Sequence, residues 1–279
     1  MKLKIKIGRT VTLGLALAIL VAGCQKITRP ALGDYPVDHN PPGGPLKFYA
    51  AYDATDVDSI RANFGVDNNS SIVDGGASGK ALQLDGMKNG YTVYPSANDA
   101  GAATDFTVSF WMNITAAQKD NNHAVGVLAL ASSTNFWGEC TWFADNNDKG
   151  TSDSMNLKIH FANGSGDNWD FAGYTGNKRW PGMYDGKWHN VAFTYDATSK
   201  TGTLYRDGVQ FDQKTNETIA FDGNSSQLIV GGFQEAAGIV DTYSNNSWMA
   251  GFPGMIDNVR LYGKALSASD IQAIYNNKQ

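Results

Sequence analysis

The chain has 279 residues, with 27 acidic against 22 basic side chains and a formal net charge of −5. That sign argues against nucleic acid and anionic lipid surfaces as partners, because both are held by clustered cations. Two cysteines, Cys24 and Cys140, lie in separate parts of the chain, so no disulfide framework is expected.

The first segment reads as an export leader over residues 1–23. Lys2, Lys4, Lys6 and Arg9 precede an apolar run from Val11 to Val21, too short to span a bilayer as a mature helix. Leu20-Val21-Ala22-Gly23-Cys24 resembles the lipobox of bacterial lipoproteins, which implies that Cys24 becomes the first mature residue and carries lipid on its sulfur. Residues 24–45 follow as a tether. Pro30, Pro36, Pro41, Pro42 and Pro45 fall within it and no apolar period is visible. Fully extended, such a segment reaches on the order of 60 Å at polyproline rise.

Residues 46–279 read as one all-β domain. Phe48–Tyr52 is the first expected strand, and Asp53–Ser71 is polar, with a short helix expected at Val57–Asn63. Ala81–Leu84 and Tyr91–Tyr94 form an expected strand pair across Asp85–Gly90. Phe106–Ile114 has bulk on both sides and is expected to be a central strand covered on both faces. Ala124–Ala131, Cys140–Ala144 and Asn156–Ala162 follow, with Phe171–Tyr174 continuing that sheet.

Trp188–Tyr195 and Thr203–Arg206 are adjacent antiparallel strands, Val191, Phe193 and Tyr195 facing one way. Asp207-Gly208 then supplies a type I′ turn. Gln227–Gly231 and Met255–Tyr262 complete the strands. A short helix closes the chain at Ser267–Asn276, with Ser267 as N-cap and Asp270 at the third helical position.

Three stretches carry a family resemblance: GKALQLDG with FTVSFWMN, then DGKWHNVAFTYD with LYRDG, then FPGMIDNVRLYGKALSASDIQAIY. In this order they resemble laminin-G-like domains of the concanavalin A-like lectin/glucanase superfamily. The resemblance implies a two-sheet antiparallel jelly-roll sandwich with a short C-terminal helix. It also implies one structural Ca²⁺ between the N-terminal and final strands, with Asp257 and Asp53 as the expected carboxylate ligands. Together with the lipobox it resembles lipoproteins of Bacteroidetes polysaccharide-uptake systems, anchored in either leaflet of the outer membrane and working beside other uptake proteins. The fold itself hosts lectins, adhesion modules and enzymes alike.

Function is therefore sought in side chains. Trp111 and Trp188 stand inside expected strands and read as core. Trp137, Trp142, Trp169, Trp180 and Trp248 stand among Asn, Gly, Ser and Asp, a setting that suits indoles half exposed to stack on sugar rings. Trp169 and Trp180, with Tyr174 and Tyr184, are the leading candidates for a polysaccharide or oligosaccharide ligand, followed by Trp137 and Trp248. Catalysis is not expected. The superfamily's glucanases use E-x-D-x-x-E on one strand, whereas none of Glu139, Glu217 and Glu235 has a carboxylate two residues on. His160 reads as a solvent-side strand residue and Cys140 as a buried inert thiol. A protein-binding adhesion module, and an enzyme whose carboxylates meet only in space, are the alternatives.

Overall fold

The computed structural model describes residues 43–145, 154–163, 166–171, 180–221 and 225–278. The leader, Cys24 and the tether as far as Pro42 lie outside them.

Two eight-stranded sheets face each other. The first is built on β6 (Phe106–Asn113), every residue of which is buried. On one side of β6 run β11 (His189–Asp196), β12 (Thr201–Arg206) and β13 (Val209–Lys214); on the other run β16 (Met255–Tyr262), β4 (Lys80–Leu84) and β3 (Ser70–Asp74). β1 (Leu46–Ala50) pairs with the far half of β16. The second sheet runs β10 (Gly166–Phe171), β9 (Leu157–Asn163), β8 (Cys140–Asp145), β7 (Ala124–Ser132), β14 (Ser225–Val230), β5 (Tyr91–Tyr94), β2 (Val66–Asn68). The short β15 (Met249–Gly251) lies parallel to the start of β7.

Alternation decides which side chains meet between the sheets. Val191, Phe193 and Tyr195 of β11 enter the core together with Phe106, Val108 and Phe110 of β6 and Leu157, Ile159 and Phe161 of β9. Phe110 meets Trp142 edge-on at 5.3 Å between ring centroids, the arrangement that ring quadrupoles favour. Cys140 is buried in this core, and burial pushes its thiol far above the usual range, leaving it inert.

The turn after β12 has the expected chemistry, with φ of 49° at Asp207 and 77° at Gly208, the two positive values a type I′ turn requires. Helix α1 (Ala268–Asn277) begins at Ser267, whose hydroxyl accepts from Asp270 N while the Asp270 carboxylate accepts from Ser267 N. The helix lies across the outer face of the first sheet. Ile271 is buried against Ala192 and Tyr205, and Tyr275 stacks on Trp111 at 5.5 Å.

Several expectations are corrected. No helix forms at Val57–Asn63. The buried Asp58 carboxylate collects the N–H groups of Tyr49, Ile60 and Arg61 and holds the segment as a turn. β4 and β5 are not partners. The 3-10 turn Gly86–Lys88, ending at Asn89 with φ 51°, carries the chain from one sheet to the other. The polar stretch Asp53–Ser71, in which no strand is expected, contains β2 and the start of β3, and β15 is a further strand outside the expected set. Phe171 ends β10, whereas 172–179, and Tyr174 with them, lie outside the described residues.

A candidate carbohydrate platform and a carboxylate pair

The outer face of the second sheet is covered by connections. Phe143 of β8 and Lys158 and His160 of β9 point to this side, Lys158 Nζ standing 2.6 Å from Asp145 Oδ2 and over the Phe143 ring. His160 is on the outward side of its strand, as expected, but it is fully buried because Trp137 lies over it, 5.5 Å between ring centroids. Trp137 also stacks on Phe143 at 5.8 Å and leans on Trp248 at 5.4 Å. Phe233 backs both indoles. Trp248 keeps 39% of its surface in water. An indole held from behind by rings, with one part wet, is the geometry that stacks on the C–H face of a sugar.

Two loops are tied together to make this platform. Gln234 Nε2 donates to Asn135 O at 2.6 Å and to Phe136 O at 2.8 Å, while its Oε1 accepts from Ser132 N at 2.8 Å. One buried amide thus fixes the loop that carries Trp137. Tyr243 Oη accepts from Phe233 N at 3.0 Å, and the Asp241 carboxylate accepts from Thr242 N and from the amides of Asn245 and Asn246. Gln234 and Tyr243 escape a reading of the sequence, since neither sits in a motif. Their role exists only because two distant loops meet.

The remaining aromatic candidates divide. Trp180 is fully buried: its backbone bridges Met155 in both directions at 2.9 Å and its ring stacks on Phe211 at 4.4 Å. Tyr184 is buried in the same core. Trp142 is buried between the sheets. None of the three offers a face to a ligand, which corrects the sequence reading. Trp169 is placed on β10 by its backbone. Trp188, read as core, is half-exposed and donates from Nε1 to Gly75 O at 2.9 Å. Trp111 is core as expected, beneath Tyr275.

Close to the platform, burial pushes the Glu235 carboxyl up to about 7. Its Oε1 is sealed under the loop and the residue is 2% exposed, whereas a catalytic acid must reach its substrate.

The second cluster lies where β16 changes partners. Met255 and Ile256 pair with β4, Val259 to Tyr262 with β1, and a register shift against β6 falls between Asp257 and Arg260. In this gap Asp257 is fully buried. Its Oδ2 accepts from Ser78 N at 3.2 Å, and its Oδ1 has no hydrogen-bond partner among the described residues. Burial pushes its carboxyl up to about 7, and the nearby Asp53 adds to the rise. Asp53 accepts from Lys80 N at 3.2 Å. Gly79, at φ 61°, lies so close that a side chain there would strike Asp53 Oδ1, so glycine keeps the space open. An orphaned buried oxygen beside a second carboxylate fits a hard cation. Among the described residues no three His, Cys, Asp or Glu side chains group at metal-binding spacing, so carbonyls and water would supply the other ligands.

A family model described as the concanavalin A-like lectin/glucanases superfamily, of laminin-G type, matches residues 85–272. The chain belongs to this superfamily. Among solved structures, the laminin-G-type fold is matched by domain 4 of AbnA, an extracellular arabinanase from Geobacillus stearothermophilus, in complex with arabinotriose. That match has a TM-score of 0.56 at 20% identity over 83% of this chain and 98% of that one. The binding domain of Paraclostridial Mosquitocidal Protein 1 matches with a TM-score of 0.56 at 18% identity over 84% of this chain and 52% of that one. A structure of botulinum neurotoxin type C, whose cell entry depends on interaction with two ganglioside molecules, gives 0.56 at 12% identity over 84% and 51%. The chain spans about half the length of the two toxin structures, and at these identities the likeness is one of fold. No curated protein sequence matches it. Among the described residues no helix is long and apolar enough to cross a membrane.

Proposed function

We propose that this laminin-G-type domain is a non-catalytic carbohydrate-binding module, tethered through a lipid on Cys24 to the outer membrane and serving a polysaccharide-uptake system. The observation that carries the binding reading is Trp248, braced by Trp137 and Phe233 and partly in water. The fold shared with an arabinanase domain solved with arabinotriose supports it. Affinity electrophoresis against a panel of polysaccharides tests it. Retardation is expected in at least one gel and is expected to vanish in Trp248→Ala; retardation unchanged in that variant removes the platform. Anchoring is tested separately: Cys24→Ala is expected to move the protein from the membrane fraction to the soluble one.

Calcium belongs to the same proposal as a structural ion. Asp257 and Asp53 would hold it, and its charge would neutralise the carboxylates at the joint between β1, β4 and β16. A protein-binding reading has one observation in its favour: Phe64 and Val66, at 69% and 64% exposure, stand at the β2 edge. It predicts that Phe64→Ser abolishes capture of a protein partner while glycan retardation persists.

A further inference from the structure

Beside the platform an open cleft of about 840 Å³ is lined by the turn Gly86–Lys88 and its neighbours on one wall and by Ala117–His123 on the other. That volume falls within the range of small-ligand sites. Gly251 and Pro253 join the walls. A side chain at Gly86 would come within 2.6 Å of Gly251 O, so glycine lets the turn press against the strand.

Along the chain, β15 joins Trp248 to the cleft. Trp248 O accepts from Ala124 N at 2.8 Å, which places it beside His123 of the cleft wall. Gly251, the last residue of β15, lines the cleft as well. A strand of three residues, about 10 Å long, therefore connects indole and cleft.

The walls are set by their own hydrogen bonds. Asp120 Oδ1 accepts from Asn122 N at 2.7 Å and His123 N at 3.0 Å, Asn69 Nδ2 donates to Lys88 O at 2.9 Å, and Gln83 Nε2 donates to Gly254 O at 3.1 Å. The lining carries two carboxylates, Asp85 and Asp120, against two lysines, Lys88 and Lys119. Lys88 pairs with Asp85 at 3.0 Å, Asp120 Oδ2 lies 2.7 Å from His123 Nδ1, and Lys119 stands over the Tyr184 ring. Neither carboxyl is held up as a proton donor. Lys88 draws Asp85 below its usual range, and at Asp120 the upward push of burial is outweighed by the hydrogen bonds from Asn122 and His123. Among the lining residues, Asn121 and Asn122 offer exposed amides and Met87 an exposed thioether, 90% in water.

We propose that the cleft and Trp248 form one track for a linear, uncharged oligosaccharide, one sugar stacking on the indole and the following sugars lying in the cleft. The proposal rests on the carbohydrate reading above. Amides donate to and accept from hydroxyl groups, a thioether packs on C–H faces, and a lining with as many carboxylates as lysines has no excess of either sign to draw in a charged chain.

Calorimetry on the full chain tests this with uncharged arabino-, xylo- and cello-oligosaccharides of increasing length and with oligogalacturonates as the charged control. In the series that binds, affinity is expected to climb with length. The triple variant Met87→Ala, Asn121→Ala, Asn122→Ala is expected to bind the longest member about tenfold more weakly, the equivalent of one or two net hydrogen bonds, and the shortest unchanged. All three residues are exposed, so folding is not at risk. A triple variant that binds the longest member as the parent does removes the cleft from the track and leaves the carbohydrate reading standing. Equal weakening for short and long members removes it too, and oligogalacturonate binding best overturns the uncharged class. If no member binds and Trp248→Ala is also silent in the polysaccharide gels, the carbohydrate reading falls first and this proposal with it.

Discussion

On the outer face of the first sheet, Trp111 lies flat beneath Tyr275 of α1 and is 1% exposed. On the outer face of the second, Trp137 and Trp248 lean together under two loops, and Trp248 is 39% exposed. The same side chain, placed on the outside of a sheet, is sealed when a regular element crosses it and stays partly wet when irregular connections do. A helix presents a continuous apolar stripe that excludes water along its length. Loops meet the sheet only where particular bonds hold them, as the Gln234 amide does here, and they leave gaps between those points.

The largest test of this contrast moves an indole from the sealed class. Trp180→Ala should cost about 3–5 kcal/mol in urea denaturation, because a large side chain is removed from a site without water. The fraction still folded should bind glycan with unchanged affinity; a loss of affinity there would return Trp180 to the ligand site. Calcium comes next, acting on the helix-covered sheet. At a hundredfold excess over its Kd it should stabilise the protein by about 2.7 kcal/mol, and Asp257→Asn should erase the gain.

The pH dependence follows from the raised Asp257 carboxyl. Without cation, its contribution is present below the usual carboxylate range and fades as pH rises through about 7, since the folded state holds the proton more tightly. With cation bound that decline should disappear from a pH series of melts.

Tyr275→Ala uncovers Trp111 and should cost about 1–2 kcal/mol through lost stacking and area. Glycan binding should not change, since exposure alone does not make a platform without rings behind it. Trp248→Ala should show the reverse, a stability change of about 1 kcal/mol against the loss of retardation. The smallest effect concerns the seat of the helix. Gly208 packs against Gln272 and Tyr275, and its turn is held by His189, whose Nδ1 lies 2.9 Å from Asp207 Oδ2 and Nε2 3.2 Å from Asp185 Oδ1. The hydrogen bond to Asp207 raises the His189 pKa despite burial. Its stabilisation is complete below the ordinary histidine pKa and is lost as pH rises through the raised value. The gap in stability between the parent and His189→Ala should therefore narrow from pH 5 to pH 9, by under about 1 kcal/mol.

Much of the architecture was legible in the chain itself. Period-2 alternation placed β6, β9 and β11 and assigned Val191, Phe193 and Tyr195 to the interior, because a pleated strand sends neighbours to opposite faces. Asp-Gly placed the turn, and Ser267 with Asp270 placed the helix start, because both rest on bonds within four residues. The family resemblance points to Asp257 and Asp53; the two carboxylates lie near each other, and Oδ1 of Asp257 is the orphaned oxygen.

What the chain could not show was which indole meets water. NKRWPGMY and SNNSWMAG carry the same polar company around Trp180 and Trp248, yet one bridges Met155 and stacks on Phe211 while the other rests on Trp137 at the surface. Local composition sets what a residue can do next to solvent. Whether solvent is there depends on segments tens of residues away, as does the parting of β4 from β5 into different sheets. Contacts within a few residues were written in the sequence; contacts across the sandwich were decided by the packing of the whole domain.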